Sequence, residues 1–224
     1  MEANNDRIIS ALQQKGVLKQ QIYQQTKEVF QQLNEVLQGI AKHTAGAMGE
    51  DSPVEVAYKA QSDFESSLRF SGDMLVFMMH TNVFTFNPEY FVHKSGYVKE
   101  DPTRAYCGMI VVYNFLSDSL RYNRLSDVGY LIGRIFINKD RHFFVEGRRE
   151  FAFRYSSFSQ QPIDEKTLHQ MAEAAVVHAI DFDLFVPPID GSKQLSVKDK
   201  LQASGLSAIR TGKRVGFEFL RDQE

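Results

Sequence analysis

Apolar residues in the N-terminal part of the chain recur with the spacing of a helix. Residues 4–42 lack proline and are dominated by the strong helix formers Gln, Glu, Lys and Leu. From residue 22 the apolar positions alternate steps of four and three residues, at Ile22, Thr26, Val29, Leu33, Val36 and Ile40. This is the a/d seam of a heptad repeat, and it predicts a helical, coiled-coil-like segment over residues 1–45.

Two features leave the form of this segment open. Gly16, followed by the β-branched Val17, weakens the helix by about 1 kcal/mol relative to alanine, so either two helices or a single rod fits the pattern. Phe30 and Leu37 widen the seam, which suits packing on the chain's own sheet as well as pairing between chains. We favour pairing between chains, because the opposite face carries glutamine and charge. The self-association residues are then Ile22, Val29, Leu33, Val36 and Ile40.

A different pattern begins after the polar, glycine-containing stretch at residues 43–53, which predicts a linker. Runs of Val, Ile, Phe, Tyr and Thr separated by turn residues are typical of antiparallel strands. Strands are predicted near residues 64–70, 74–86, 105–115, 130–137, 142–148 and 151–158. Turns are predicted at 71–73 and 117–119, a long loop around 87–88, and a hairpin at 138–141.

The remainder of the chain predicts helix. Pro162 with Asp164 and Glu165 is a favourable helix start, and the helix is expected to end near Asp181. Its apolar face consists of Leu168, Met171, Ala172, Ala175 and Ala179. Residues 196–199 have the spacing of a capping box, and residues 215–220 alternate like a closing strand.

Together these elements predict an α+β fold with two parts. Residues 1–45 form an N-terminal helical, coiled-coil-like segment. Residues 46–224 form an α+β domain in which one or two C-terminal helices cover an antiparallel β-sheet. The pattern leaves the order of the strands open.

Composition indicates the kind of protein and its cellular compartment, but not its activity. The 26 basic and 28 acidic side chains give a nearly neutral protein, and 43% hydrophobic residues are typical of a globular chain. A single cysteine, Cys107, favours a reducing compartment, and the longest apolar run, residues 74–79, is too short to cross a bilayer. We therefore expect a cytoplasmic protein without membrane contact.

Motifs for the common kinds of catalysis are absent from the sequence. Neither glycine-rich phosphate loop, nor a nucleophile elbow, nor a zinc-binding H-E-x-x-H helix occurs, so no cofactor is predicted. Cys107 lies in an apolar run, which predicts a buried thiol with a raised pKa. The most metal-like spacing is His178, Asp181 and Asp183, with His178 and Asp181 one helical turn apart.

Two further sets of residues are candidates for ligand binding. His80 and Asn82 lie two apart on a predicted strand, so they share a face and could form the polar spot of a pocket. Residues 104–160 hold nine basic and five acidic side chains. Arg134, Arg148 and Arg154 would lie on neighbouring strands and could bind an anion, unless acidic neighbours such as Glu146 and Asp127 neutralise these arginines in surface pairs.

Three functional hypotheses follow. The favoured one is a non-enzymatic binding or scaffold protein that self-associates, as a homodimer or other homo-oligomer, through its N-terminal helix, with a further protein partner possible. The second is an anion-binding or phosphoester enzyme that uses the arginines with Asp181 and Asp183. The third is a ligand sensor with a helical signalling arm. Nucleic acid is disfavoured as a partner, because the helical segment has five positive and five negative side chains.

Overall fold

A computed structural model describes residues 2–125 and 127–183 of the chain. The capping box at 196–199 and the strand at 215–220 lie outside these residues. The described chain is α+β: a long N-terminal helix, a six-stranded antiparallel sheet and a later helix. Among the described residues no helix is both long enough and apolar enough to span a membrane.

The N-terminal helix is one continuous run with a change of type in the middle. Helix α1 (Glu2–Ala11) passes into a π-helical turn (Leu12–Gly16), which passes into α2 (Val17–Met48). The disturbance expected at Gly16 is therefore a local widening of the helix and not a break. The helix also continues past residue 43, so the predicted linker is reduced to the few residues between Met48 and the first strand.

The sheet is a simple meander in which each strand pairs with the next. Its strands are β1 (Val56–Ser62), β2 (Glu65–Phe70), β3 (Asp73–Phe84), β4 (Cys107–Leu116), β5 (Tyr130–Asn138) and β6 (Phe143–Gly147). Shorter helices lie in the connections: α3 (Phe91–Lys94), α4 (Gly96–Glu100), a 3-10 turn (Pro102–Ala105) and α5 (Ser117–Arg121). After β6 come α6 (Arg149–Ala152), a second 3-10 turn (Phe153–Tyr155) and α7 (Glu165–Ile180).

The main core lies between one face of the sheet and the two long helices, α2 and α7. Alternate strand residues such as Leu75 and Ile110 point into it, and the five predicted apolar residues of α7 are all buried there. The seam of α2 is also buried, and Val29 and Leu33 lie in the same core: Ile22 and Val29 are 0% exposed, and Leu33 is 1% exposed.

This burial corrects the expectation that the seam pairs one chain with another. Val29, Leu33 and Val36 pack in the core shared with the chain's own strands, and the half-buried Ile40 packs against that core. Because the sheet already covers these side chains, they are not available to pair with another chain. The alternative that the widened seam also allowed, packing on the chain's own sheet, is the one observed.

A smaller core covers part of the opposite face of the sheet. Phe136 and Phe144 lie opposite each other on β5 and β6 and stack with ring centroids 4.8 Å apart. Residues of α3, α4 and the following 3-10 turn, including Val92 and Val98, close over them. The long excursion between β3 and β4, predicted only as a loop, is therefore a folded cover for this end of the sheet.

Two strand predictions were wrong. Strand β1 was missed, because its residues alternate weakly and only Val56 and Tyr58 contribute large apolar side chains to the core. The strand predicted at residues 151–158 is instead α6 and a 3-10 turn. Glycine at position 147 permits this change of direction at the end of β6, because its φ is 148° and a Cβ there would lie 2.2 Å from the Ile132 carbonyl oxygen.

Candidate functional site

The arginines expected to form an anion site do not share three neighbouring strands. Arg134 lies opposite Glu146 in the β5–β6 ladder and forms an ion pair with it. Arg148 is buried at the end of β6, whereas Arg154 is exposed on a 3-10 turn. The predicted three-strand arrangement is therefore wrong. The alternative, in which acidic neighbours neutralise the arginines in surface pairs, is observed for Arg134 and Glu146. Anion binding by Arg134 or Arg148 stays a prediction.

His80 and Asn82 lie near the end of β3, where both are exposed. The amide of Asn82 donates a hydrogen bond to Nδ1 of His80 at 3.0 Å. The His80 ring also meets the ring of Phe84 edge-on, with centroids 4.7 Å apart. Because both side chains face solvent, the interpretation of this pair as the polar spot of an enclosed pocket is not supported.

The metal-like spacing at the end of α7 does not produce a metal centre. Asp181 caps the C-terminus of the helix and is exposed, as is Asp183, while His178 is half-buried. Within residues 2–125 and 127–183, no three His, Cys, Asp or Glu side chains lie close enough together to hold a metal ion. Metal binding by His178, Asp181 and Asp183 stays a prediction that the arrangement of these side chains does not support.

The most extensive polar cluster was not predicted, and it joins α4 to the β5–β6 hairpin. The Tyr97 hydroxyl donates to Oδ2 of Asp140 at 2.8 Å and accepts a hydrogen bond from Asn138 at 3.0 Å. Arg104 donates to the same Asp140 oxygen at 3.0 Å, and also to Glu100. We call Tyr97, Arg104, Asn138 and Asp140 the hairpin latch.

Stacking reinforces the hairpin latch. The Arg104 guanidinium lies 4.2 Å from the centroid of the Tyr97 ring, and the His142 ring stacks on Tyr97 at 5.0 Å. Burial is the main reason why the pKa of Tyr97 is raised to about 12, and the hydrogen bond to Asp140 adds to it. A phenol that stays protonated and hydrogen-bonded is a poor nucleophile or base, so we interpret the latch as structural.

Cys107 occupies a similarly unreactive environment. It is fully buried at the start of β4 in the smaller core, and this burial raises the pKa of its thiol far above the ordinary value. The prediction of a buried, high-pKa thiol is confirmed.

An unpredicted apolar surface lies on the N-terminal part of the helix, before the seam. We define the arm as residues 5–21, which precede the first buried residue, Ile22. Every residue of the arm up to Lys15 is exposed. Four large apolar side chains are at least half exposed there: Ile8 (57%), Ile9 (50%), Leu12 (62%) and Val17 (60%). We call these four residues the arm stripe.

The arm has one acidic side chain, Asp6, and three basic side chains, Arg7, Lys15 and Lys19, which give it a net charge of +2. Asp6 and Arg7 are neighbours, and the exposed Lys15 reaches back to place its ammonium 5.7 Å from the centroid of the Tyr106 ring. Asn5, Ser10, Gln13 and Gln14 supply uncharged polar groups around the arm stripe. The arm therefore exposes apolar area next to a small positive net charge.

Of the features described, the arm stripe is the one that the fold does not itself use. The predicted ligand residues are dispersed or exposed, and the hairpin latch and Cys107 are committed to the structure. A run of half-exposed Ile, Leu and Val along one helix is unusual on a monomeric surface and is typical of an interaction site. Neither known protein-family models, nor curated proteins, nor solved structures provide a match to this chain.

Proposed function

We propose that this is a non-enzymatic binding or scaffold protein that self-associates through the N-terminal part of its long helix. The observation that carries the proposal is the exposure of Ile8, Ile9, Leu12 and Val17 on an arm whose described side chains are exposed up to Lys15. The hypothesis drawn from the heptad pattern is retained, but its contact residues move from the seam to the arm stripe. The buried thiol of Cys107 supports a reducing, cytoplasmic setting.

The size of the arm stripe predicts weak, concentration-dependent association. Fully burying a Val, Leu or Ile side chain contributes about 1.5–3 kcal/mol, so eight half-exposed side chains in a pair of arms provide roughly 6–12 kcal/mol. Association itself costs at least about 4 kcal/mol in lost translational and rotational freedom. The difference is at most about 8 kcal/mol, which corresponds to a dissociation constant no tighter than roughly 1 µM.

The experiment is to measure the molar mass of the full chain by sedimentation equilibrium at increasing concentrations from about 1 µM. We expect the mass to rise above 25.6 kDa as concentration increases. Leu12→Glu should suppress the rise, because it places a charge in the arm stripe. Ser10→Glu is the matched control, since Ser10 is exposed on the same helix about 200° away from Leu12.

Two results would contradict the proposal. The first is a wild-type chain that stays at the monomer mass at the highest concentration. The second is equal association of the Leu12→Glu and Ser10→Glu variants. Both substitutions are at exposed positions, so neither should lower the unfolding temperature.

The anion-binding enzyme has less support. Arg134 is paired with Glu146, and Asp181 and Asp183 are exposed at the end of α7. The ligand sensor would share the arm with the favoured proposal but needs a binding cavity in the sheet domain. No contact among the described residues singles out such a cavity.

A further inference from the structure

Strand β1 leaves one edge of the sheet open. Among the described residues it pairs only with β2, and its residues Ala57, Lys59 and Ala60 are exposed. The opposite edge is different, because the amide of Ser159 donates to the carbonyl of Phe143 on β6 at 2.8 Å. An edge strand presents a row of unpaired backbone donors and acceptors, so β1 can accept a further strand.

The hydrogen bonds to β2 show which backbone groups of β1 point outward. Glu55 immediately precedes β1, and its carbonyl accepts a hydrogen bond from the amide of Ser71 at 2.9 Å. Because bonded positions alternate along an antiparallel ladder, the backbone groups of Ala57 also face β2. Those of Val56 and Tyr58 therefore face away from the sheet, and a further strand would bond to them.

The side chains of β1 complement one another across a two-fold axis. Two copies of one strand related by such an axis run antiparallel. With the axis at Ala57, Val56 of one copy lies opposite Tyr58 of the other, which is the pairing that the outward backbone groups require. Glu55 of each copy then lies opposite Lys59 of the other. The small side chain of Ala57 meets its own copy where the two strands come closest.

The charges favour this register over its neighbours. An axis at Lys59 would place two lysines opposite each other, and an axis at Glu55 would do the same to two glutamates. An axis at Val56 or Tyr58 leaves both charges opposite uncharged side chains. Glu55 bonds Arg69 at 2.7 Å through Oε2, which leaves Oε1 for a second cation. No described acidic side chain forms an ion pair with Lys59.

We infer that β1 pairs with β1 of a second copy of this chain, antiparallel about Ala57, and so joins two six-stranded sheets. A lysine on an edge strand ordinarily opposes pairing with another strand. In this register the second copy supplies the carboxylate of Glu55 to Lys59, so the obstacle becomes an attraction. The contact goes beyond the association proposed for the arm stripe and does not depend on it.

A cysteine at the axis tests the contact by trapping it. Ala57→Cys is made together with Leu12→Glu, so that the arm stripe does not contribute. Two cysteines at this position would have Cα atoms about 4.5 Å apart, which a disulfide can bridge. The native Cys107 is buried and does not compete.

The matched control is Ala60→Cys in the same Leu12→Glu chain, because Ala60 is also exposed on β1. Two copies of residue 60 would be about 20 Å apart in the inferred register. In a glutathione redox buffer, followed by non-reducing gel electrophoresis, we expect the disulfide-linked dimer to form at least about tenfold faster from Ala57→Cys than from Ala60→Cys. Equal rates would overturn the inference.

Charge reversals test the register. In the Ala57→Cys chain, Lys59→Glu places glutamate opposite glutamate, and Glu55→Lys places lysine opposite lysine. Each variant alone should form the linked dimer about tenfold more slowly. A mixture of the two restores two pairs of opposite charge, so the linked dimer with one chain of each kind should form at the original rate. A mixture that is no faster than its components would overturn pairing about Ala57.

These results are distinguishable from those for the arm stripe. A wild-type chain that keeps the monomer mass refutes association through the arm, whereas the disulfide still accumulates an edge contact that is populated only briefly. If the linked dimer forms in Ala57→Cys but not when Leu12→Glu is added, the arm brings the chains together, and the independent edge contact is refuted.

Discussion

Helix α2 crosses β4 at close range at Gly108. A Cβ atom at Gly108 would lie 2.0 Å from Oγ1, 2.8 Å from Cβ and 2.9 Å from Cγ2 of Thr26. Thr26 is 0% exposed, and its hydroxyl donates to the carbonyl of Ile22 at 2.7 Å. Gly108→Ala therefore forces a new methyl group against a side chain that has no free space to occupy.

The expected cost can be estimated from this geometry. Rotating the Thr26 side chain cannot relieve the contact with its own Cβ, so the helix must move away from β4. Overpacking of this kind costs about 1–3 kcal/mol, and the need to shift backbone places Gly108→Ala near the upper end. Gly108 has no positive φ, so alanine should gain about 0.4–1 kcal/mol from the unfolded state. We expect a net loss of about 2 kcal/mol.

A double-mutant cycle in urea checks this reasoning. Thr26→Ala removes Oγ1 and Cγ2, two of the three close atoms, and alone should cost about 1 kcal/mol from lost packing. If the two residues conflict as described, the double variant should be at least about 1 kcal/mol more stable than the sum of the single effects predicts. Additive effects, or a Gly108→Ala cost below about 0.5 kcal/mol, would show that the crossing is looser than the structure indicates.

Two further predictions concern pH. Tyr97→Phe should cost about 1–2 kcal/mol near neutral pH, because Asp140 and Asn138 each lose a partner. The pKa of Tyr97 in the folded protein is raised to about 12, so the contribution of Tyr97 to stability is complete below pH 10 and is lost between about pH 10 and 12. Denaturant titrations should therefore show that the difference in stability between the wild type and Tyr97→Phe disappears over this range. Asp164→Ala should cost about 1 kcal/mol, because hydrogen bonds from the Thr167 hydroxyl and amide cap α7 and lower the pKa of Asp164. That loss should be present above about pH 4 and disappear in acid, with Asp164→Asn close to wild type; a constant gap would contradict it.

Periodicity predicted the parts of the fold that bury a regular pattern. All five apolar residues assigned to α7 are buried, and the helix starts where it was predicted, with Asp164 as its N-cap. The seam of α2 was identified correctly as a surface that must be covered. The element that covers it was not identified, because the same stripe is equally suited to a coiled coil and to packing on a sheet. Only the register of the neighbouring strands decides between them.

Where local pattern and tertiary contact disagree, the sequence was misleading. Residues 151–158 have the composition of a strand, yet Phe151 packs on Gly133, where a Cβ would lie 2.5 Å from its ring. The turn that directs the chain there depends on Gly147, and the sequence alone does not show that this glycine has a positive φ. The hairpin latch is equally non-local, since Tyr97 and Asp140 are 43 residues apart. Its hairpin turn was predicted, but its partners were not.

The candidate site was overlooked for a related reason. A stripe that faces the core extends over many helical turns, because it has to bury a large area. The stripe of residues 22–40 is therefore the strongest periodic pattern in this part of the chain. The arm stripe occupies only about three turns and includes a five-residue step from Leu12 to Val17, which no α-helical or heptad template matches. In the sequence, that step is interpreted only as a weakening of the helix at Gly16. In the structure it is a π-helical turn between the exposed arm and the buried seam, so the position where the regular pattern fails is also close to where the helix begins to pack on its own sheet.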